Sequence, residues 1–384
     1  MLKLIYADKF ILENETKGPG YMLIEDGKFG AYTIKKPTLD VEYVDYSGNW
    51  IAPGLVDTHI HGYKGDDVMD NDFNGLFRVS ENLLSCGVTS FLPTTLTSSD
   101  QQISDVVKLI GDKARDLEGA KVRGIYLEGP FFTEEHAGAQ EKRYLMDPKI
   151  DLLKKWQGLA NGMIKKIAIA PERKNSTAFI QYAVKEGITV SLGHSNATYE
   201  EAVTAIKNGA STFTHGYNGM SGLHHREPGM VGVALNREDV FVEVICDGLH
   251  VHPVAINILM KAREKKRMVI VSDCMRAGGL EDGTYQLGSY PIKVENGEAR
   301  LFNGRLAGST LDLLSAVRNI VKWGIVTPEE GIHMATSIPA ESIKMSNSCG
   351  KISEGLEADF IVLTPDLELI ATYINGEKRY EENH

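Results

Sequence analysis

The stretch IAPGLVDTHIHG, residues 51–62, indicates the fold because a strand-like apolar run ends here in polar side chains. Asp57, His59 and His61 stand at every second position, and alternate residues of a strand point to the same face. The rings of His59 and His61 can therefore reach one metal ion. Imidazole and carboxylate ligands suit zinc, iron, manganese and cobalt alike, so the sequence does not select among these metals.

Seven further short runs rich in β-branched residues follow, and a helical pattern comes after each. With the first run they cover residues 51–60, 88–94, 122–127, 164–170, 189–192, 211–214, 240–245 and 268–271. Eight strand–helix units predict an α/β fold, a closed (β/α)8 TIM-like barrel. A doubly wound open sheet stays the alternative, because periodicity does not show closure.

Both ends of the chain differ from this alternation. Short strand patterns separated by turns occupy the first fifty residues, and the last forty contain a hairpin signal at Asn375-Gly376. We therefore expect residues 1–52 and 346–384 to form one small β-sandwich domain, with the barrel over residues 53–345. Residues 283–305 alternate around Asn-Gly turns, which predicts a hairpin inserted after the eighth strand.

Composition excludes several functional classes. The net charge of −11, from 41 basic and 52 acidic residues, argues against a nucleic-acid partner. No apolar run approaches membrane-spanning length, and charged residues interrupt the start of the chain where a signal peptide would be apolar. The scattered cysteines contain no C-x-x-C pair, which indicates buried free thiols and a cytoplasmic location: Cys86, Cys246, Cys274 and Cys349.

Metal-capable residues fall at the carboxyl ends of the predicted strands, which share one face of a barrel. Beyond the first strand these residues are Glu128, His194, His215, Asp247, His250 and Asp273. A lone histidine at a strand end is more often structural, but five of the 11 histidines lie at such ends. Asp273 is the candidate general base, because a carboxylate beside activated water can accept its proton. The alternative is that Asp273 caps a helix.

Nine motifs, in order along the chain, resemble the amidohydrolase superfamily and, more narrowly, the N-acetylglucosamine-6-phosphate deacetylase family. They are PGLVDTHIHG (53–62), LEGPFF (127–132), HAGAQ (136–140), GHSNAT (193–198), THGYNGM (214–220), REPGMVG (226–232), DGLHVHP (247–253), VSDCM (271–275) and LAGST (306–310). The resemblance implies metal-dependent hydrolysis of N-acetyl-D-glucosamine 6-phosphate to D-glucosamine 6-phosphate and acetate, in amino-sugar catabolism. The alternatives are the galactosamine epimer, a cyclic amidase or adenine deaminase, and a non-catalytic scaffold.

The resemblance also implies a role for each matching residue. Glu128, His194 and His215 match the principal metal ligands, and Asp273 matches the catalytic acid/base. Arg226 matches a phosphate-binding arginine supplied by the neighbouring subunit, which implies a homodimer; a surface salt bridge with Glu227 is the alternative. The full set of implied substrate contacts is Ala139, Gln140, Asn218, Gly219, Arg226, His250, Leu306, Ala307 and Gly308.

Two features depart from parts of the family. Some members have Gln-x-Asn where this chain has His59 and His61, and those members hold one metal. We therefore expect two divalent metals per chain, with Glu128 as the bridge. After the eighth strand, residues 274–276 are bulkier than expected, so the sequence does not determine the detailed shape of the substrate pocket.

Overall fold

The computed structural model describes residues 2–382. Residues 1, 383 and 384, which the predicted terminal domain includes, lie outside the described residues. In chain order the strands are β1 (Leu2–Ile11), β2 (Thr16–Lys17), β3 (Gly20–Glu25), β4 (Lys28–Thr33), β5 (Glu42–Pro53), β6 (Leu55–Ile60), β7 (Gly62–Tyr63), β8 (Asp66–Asp67), β9 (Val88–Thr95), β10 (Lys121–Val122), β11 (Ile125–Glu128), β12 (Ile164–Ile169), β13 (Thr189–Leu192), β14 (Thr212–Phe213), β15 (Phe241–Ile245), β16 (Met268–Val271), β17 (Gly283–Leu287), β18 (Tyr290–Glu295), β19 (Glu298–Leu301), β20 (Phe360–Leu363), β21 (Leu369–Ile374) and β22 (Glu377–Glu381).

Most of the α-helices follow the barrel strands. They are α1 (Phe73–Leu83), α2 (Asp100–Lys113), α3 (Ile150–Leu159), α4 (Ser176–Lys185), α5 (Tyr199–Lys207), α6 (Gly229–Asn236), α7 (Pro253–Ala262), α8 (Leu313–Lys322), α9 (Pro328–Met334) and α10 (Ser337–Ser342). Local sequence sets their starts: in α5, Thr198 and Glu201 form a reciprocal capping box. Within residues 2–382, no helix combines the length and the hydropathy that crossing a membrane requires.

Eight parallel strands form the barrel, in the order β6, β9, β11, β12, β13, β14, β15 and β16. Backbone hydrogen bonds join its last strand to its first. The N–H of Asp273 donates to the carbonyl of His59 at 2.9 Å, and the N–H of His61 donates to the carbonyl of Cys274 at 2.8 Å. The predicted barrel is confirmed, and the open sheet is excluded.

The two terminal segments pair in one mixed sheet, which confirms the predicted small β-domain. Its strand order is β22, β21, β20, β5, β1, β3 and β4, with β2 paired to β1. The Asn375-Gly376 turn joins β21 to β22, as predicted. The residue bounds proposed for the two domains stay a prediction.

The first predicted strand, residues 51–60, is in fact divided between the two domains. β5 ends at Pro53 within the terminal sheet, and β6 begins at Leu55 within the barrel. Gly54 lies at the transition, where an added Cβ would stand 2.1 Å from the Oγ1 of Thr89. Only glycine allows this close approach between the crossing chain and β9.

The segment after β16 forms the predicted insertion, with one strand more than a hairpin. β17, β18 and β19 make a three-stranded antiparallel sheet, and Asn296-Gly297 forms the turn between the last two. The loop between β17 and β18 begins after Leu287, which is buried. All four cysteines are buried free thiols, as predicted.

Candidate active site

Six metal-capable side chains meet at the carboxyl end of the barrel. His59 lies in β6 and His61 directly follows it, and Glu128 is the last residue of β11. The other three lie two residues beyond the ends of β13, β14 and β16: His194, His215 and Asp273. All six are buried. The sequence prediction that these distant residues converge is therefore correct, because parallel strands end on one face.

Glu128 lies at the centre and joins two groups of possible ligands. In one group, its Oε1 is 3.2 Å from the Nε2 of both His194 and His215. In the other group, the Nε2 of His59 and the Nε2 of His61 each lie 3.4 Å from a Glu128 oxygen. Each group could hold a metal ion with Glu128 shared between them.

The four histidine rings are all held through Nδ1, which leaves Nε2 facing the centre. His61, His194 and His215 pair Nδ1 with the backbone carbonyls of Thr94, His136 and Asn218, at 2.8–3.1 Å. His59 instead pairs Nδ1 with the Glu243 carboxylate at 3.1 Å. Metal-bound histidines are oriented in this way. Within residues 2–382 the buried Nε2 of His59 has no hydrogen-bond partner, so these residues fit a divalent cation.

Three of these residues hold a backbone conformation that side chains rarely adopt. The φ angles of His194, His215 and Asp273 are +47°, +31° and +49°. Residues in this region cost free energy and persist where the surrounding structure fixes them, often at functional sites. Here the turns aim each side chain into the barrel mouth two residues past the end of its strand.

Asp273 faces the first group of rings. Its Oδ1 lies 3.2 Å from the Nε2 of His61 and 3.4 Å from the Nε2 of His59. Burial opposes ionisation, but the neighbouring rings of His59 and His61 lower the pKa of Asp273, so it stays a carboxylate. The helix that follows, α8, is capped by Asp312, so the capping alternative for Asp273 has no support there.

Glu128 is also held ionised, which is the form that binds metal. Burial raises the pKa of this carboxyl, but the charge of His59 and the close contacts with His194 and His215 hold it well below its usual range. Burial lowers the pKa of His215 and so favours the neutral ring. A neutral ring can offer the Nε2 lone pair to a cation.

A cavity opens above the six residues, and most of the predicted substrate contacts line it. These contacts are Ala139, Gln140, Asn218, Gly219, His250, Leu306 and Gly308. Leu287 of the inserted sheet lines the same cavity. Ala307 is buried behind the lining, where its N–H donates to the carbonyl of Ala299 at 3.1 Å. The bulky residues 274–276 are not among the residues that line this cavity.

Gln140 touches the metal-capable cluster directly. Its amide Nε2 donates to the Oε2 of Glu128 at 2.7 Å, and its Oε1 accepts from the N–H of Thr97 at 2.7 Å. Both ends of the amide are therefore engaged inside the protein. This geometry orients the Glu128 carboxylate, a role that sequence reasoning did not assign to Gln140.

His250 presents one ring nitrogen to the cavity because the other is paired. Its Nδ1 lies 2.6 Å from the Oδ2 of Asp247. Burial disfavours the charged ring, but the hydrogen bond and charge of Asp247 raise the pKa of His250 above its ordinary value. A charged His250 can donate from Nε2 to an anionic ligand.

Arg226 does not reach this cavity within one chain. It is exposed and lines a separate cleft with Asn196, Ser221 and His224. Its Nη1 lies 2.8 Å from the Nε2 of His225, so its nearest polar neighbour is not the Glu227 of the salt-bridge alternative. The predicted contact between Arg226 and the site therefore requires a second chain.

Sequence reasoning missed the polar residues beneath the site. Lys166 on β12 and Glu243 on β15 are buried inside the barrel, and Thr94 holds the ring of His61. The available signal was a charged residue within a short apolar strand, as in IKKIAI and FVEVI. Charged residues are rarely buried without a partner, so each needed one.

A comparison with known protein families shows to which family the chain belongs. Residues 50–379 match the model of the amidohydrolase family. The chain belongs to the amidohydrolase family. The match spans the barrel and enters both segments of the terminal sheet.

Within this family, the chain is similar over most of its length to individual proteins of named activity. The chain is 38% identical over 327 residues to the N-acetylglucosamine-6-phosphate deacetylase of Vibrio furnissii, covering 85% of this chain and 82% of that protein. It is 34% identical over 378 residues to the N-acetylgalactosamine-6-phosphate deacetylase of Escherichia coli O157:H7, covering 98% and 99%. A Mycobacterium smegmatis N-acetyl-D-glucosamine-6-phosphate deacetylase mutant, solved with N-acetyl-D-glucosamine-6-phosphate, superposes with a TM-score of 0.93 at 27% identity, covering 98% and 99%.

Proposed function

We propose that this chain hydrolyses the acetamide of N-acetyl-D-glucosamine 6-phosphate to D-glucosamine 6-phosphate and acetate. The observation that carries the proposal is the position of Asp273, whose carboxylate borders both the metal-capable cluster and the cavity. This chain is similar over most of its length to the deacetylases of Vibrio furnissii and Mycobacterium smegmatis, and this similarity supports the choice of substrate.

The cluster contains enough ligands for two divalent cations, and each cation is zinc, iron, manganese or cobalt. Glu128, His194 and His215 would hold one cation, and His59 and His61 would hold the second with Glu128 as the bridge. When bound, such a cation supplies a Lewis acid for the acetyl carbonyl and makes water a stronger acid. The mixed imidazole and carboxylate set does not choose among these metals.

Asp273 carries the proton transfers in this proposal. Its carboxylate accepts a proton from the water whose oxygen attacks the acetyl carbon. The same proton then passes to the amide nitrogen as the carbon–nitrogen bond breaks, which yields a free amine and acetic acid, and the acid ionises to acetate by giving its proton to the solvent or to the amine. Proton transfer by a positioned side chain is typically worth about 10²–10⁴-fold in rate.

Residues at the rim of the cavity hold the sugar phosphate. His250 donates from Nε2, and Asn218, Gly219, Leu306 and Gly308 present backbone and side-chain groups along the cavity wall. Binding the remote phosphate orients the amide beside Asp273 and lowers the entropic cost of attack. The protein carries a net charge of −11, so local cations at the site must bind the anion.

A homodimer completes this site. Arg226 is exposed in a separate cleft, and a guanidinium offers paired donors that suit phosphate. We place Arg226 of the partner subunit at the phosphate end of each cavity. The four buried thiols support the predicted cytoplasmic location.

The galactosamine epimer is the second candidate substrate. The relative from Escherichia coli O157:H7, alike over nearly the whole chain, is an N-acetylgalactosamine-6-phosphate deacetylase. The two substrates differ at one hydroxyl. A site that hydrogen-bonds this hydroxyl would discriminate between them strongly.

Acetate release tests both candidates together. Metal-stripped protein is reconstituted with each of the four metals and given either 6-phosphate, with unphosphorylated N-acetylglucosamine as the control. We expect metal-dependent release from a 6-phosphate, and the faster epimer identifies the substrate. A folded, metallated protein that releases acetate from neither would refute the proposal.

A further inference from the structure

Two charged side chains face each other inside the barrel, beneath the metal-capable cluster. Lys166 on β12 is 1% exposed and Glu243 on β15 is fully buried. They form a direct ion pair. Removing two charges from water costs free energy that apolar packing avoids, so stability alone does not explain such a pair.

Glu243 connects this pair to both groups of possible metal ligands. Its Oε2 lies 3.1 Å from the Nδ1 of His59 and accepts from the backbone N–H of His215 at 3.3 Å. Its Oε1 is occupied by the ammonium of Lys166. One carboxylate thus touches a residue of each group while its other oxygen is neutralised.

We propose that Glu243 is a positioning residue for the metal centre and that Lys166 neutralises its second carboxylate oxygen. Accepting the Nδ1 proton of His59 sets the tautomer that leaves a lone pair on Nε2, which faces the centre. Of the four rings described above, His59 pairs with a carboxylate, whereas the other three pair with backbone carbonyls. A hydrogen bond to an ionised carboxylate is stronger than one to a backbone carbonyl, so the His59 ring is held more firmly than the other three. The inference rests on the metal-dependent function proposed above.

The surroundings hold Lys166 in place. Its Nζ lies 4.0 Å from the centre of the Tyr126 ring, a favourable position for a cation. The hydroxyl of Tyr126 is 2.9 Å from the Oγ1 of Thr214, so that ring is itself fixed. The same ring packs edge-on against His59, with centroids 5.0 Å apart. The ammonium, the aromatic ring and the ligand ring therefore form one connected unit.

Charge gives the two partners opposite effects on metal binding. Glu243→Gln leaves an unpaired ammonium below a dication and removes the basic partner of His59. Lys166→Met removes a positive charge and keeps the carboxylate that holds the ring. A pair with a purely structural role would weaken metal binding in both variants, because each leaves one buried charge unpaired.

The experiment titrates metal-stripped protein with Co²⁺ and with Zn²⁺, and records the visible spectrum of bound Co²⁺ and the melting temperature of the apoprotein. In Glu243→Gln we expect one metal equivalent to bind about 10–100-fold more weakly, with a changed Co²⁺ spectrum. Lys166→Met should bind at least as tightly as wild type. The double variant should bind with intermediate affinity and recover part of the apoprotein stability that each single change loses.

Asp359→Asn is the matched control, because it neutralises another buried carboxylate that pairs with Lys121 and Arg123 and touches no ligand ring. It should leave both metal affinities unchanged. Wild-type affinity for both equivalents in folded Glu243→Gln would overturn the inference, as would equal weakening in Lys166→Met. Failure of the wild-type protein to bind divalent metal would instead refute the proposed function.

Discussion

The Nε2 atoms of His194 and His215 lie 3.1 Å apart, and both face the Oε1 of Glu128. Each ring pairs its Nδ1 with a backbone carbonyl, so that nitrogen carries a proton, and in a neutral ring Nε2 is then the acceptor. Two acceptor nitrogens and a carboxylate oxygen repel one another unless something positive lies between them. A shared cation is the arrangement that satisfies all three.

The number of metal ions bound per chain should depend on which of the two ligand groups is intact. Wild-type protein reconstituted with Zn²⁺ should bind two equivalents per chain, and His61→Asn should bind one, because His61 belongs only to the group with His59 and Glu128. His224→Asn, an exposed ring outside both groups, is the control and should bind two. Elemental analysis after dialysis measures this. One equivalent in the wild type would refute the binuclear site.

Asp273→Asn should reduce kcat by about 10²–10⁴-fold, because the amide cannot accept the proton of the attacking water. The melting temperature and metal content should stay at wild-type values, since Asn retains the size of the side chain. Steady-state acetate release measures the effect, with the exposed Asp366→Asn as control. Turnover near wild type would remove Asp273 from the proposed role.

Much of the site was readable from the sequence because strand periodicity and barrel topology fix where strand ends lie. His59 and His61 follow from alternation along one strand, and Glu128 follows from its place at the end of another. The ion pair of Lys166 and Glu243 was not readable, because it joins residues on two strands separated by 77 positions. No local pattern specifies which buried charges meet across a barrel interior.

The boundary between the domains is a second feature that the sequence pattern did not predict. Residues 51–60 form one continuous apolar pattern, yet the chain leaves the terminal sheet at Pro53 and enters the barrel at Leu55. The sheet and the barrel both bury apolar strands, so hydropathy does not distinguish them. The close approach of Gly54 to Thr89, which marks the transition, is a tertiary contact.

Gly219→Ala should disturb the His194 ligand. Gly219 has φ of +59°, and an added Cβ would lie 3.2 Å from the Nδ1 of His194, whose hydrogen bond sets the ring orientation. The left-handed backbone alone should lower the free energy of unfolding by about 1–2 kcal/mol. Gly222→Ala in the same loop is the control, since among residues 2–382 no other atom lies within 4 Å of its added Cβ. Metal titration and thermal unfolding measure both; equal results for the two variants would contradict the argument.

The pH dependence of KM should reveal the pair of His250 and Asp247. Because Asp247 raises the pKa of His250, the ring stays cationic to higher pH, and phosphate binding weakens as pH rises through that raised value. By linkage, the pair also contributes to the free energy of unfolding. This contribution is fully present below the ordinary histidine pKa and is lost as pH rises through the raised pKa of His250. Asp247→Asn should move the increase in KM to lower pH. Superimposable profiles of KM against pH would exclude the pair from phosphate binding.

Mixing two impaired variants at a substrate concentration well below KM tests whether Arg226 acts across a dimer. Arg226→Ala should raise KM through loss of the phosphate contact, and Asp273→Asn should reduce kcat by about 10²–10⁴-fold. In a mixed dimer, the chain that retains Asp273 receives Arg226 from its partner, so one of its two sites is complete. Random reassociation of equal amounts makes half of the dimers mixed and should restore about a quarter of the wild-type activity. A double variant carrying both changes, mixed with Asp273→Asn, is the control and should restore nothing, because no chain in that mixture retains Asp273. Absence of recovery in dimers shown to have exchanged would place the function of Arg226 within its own chain.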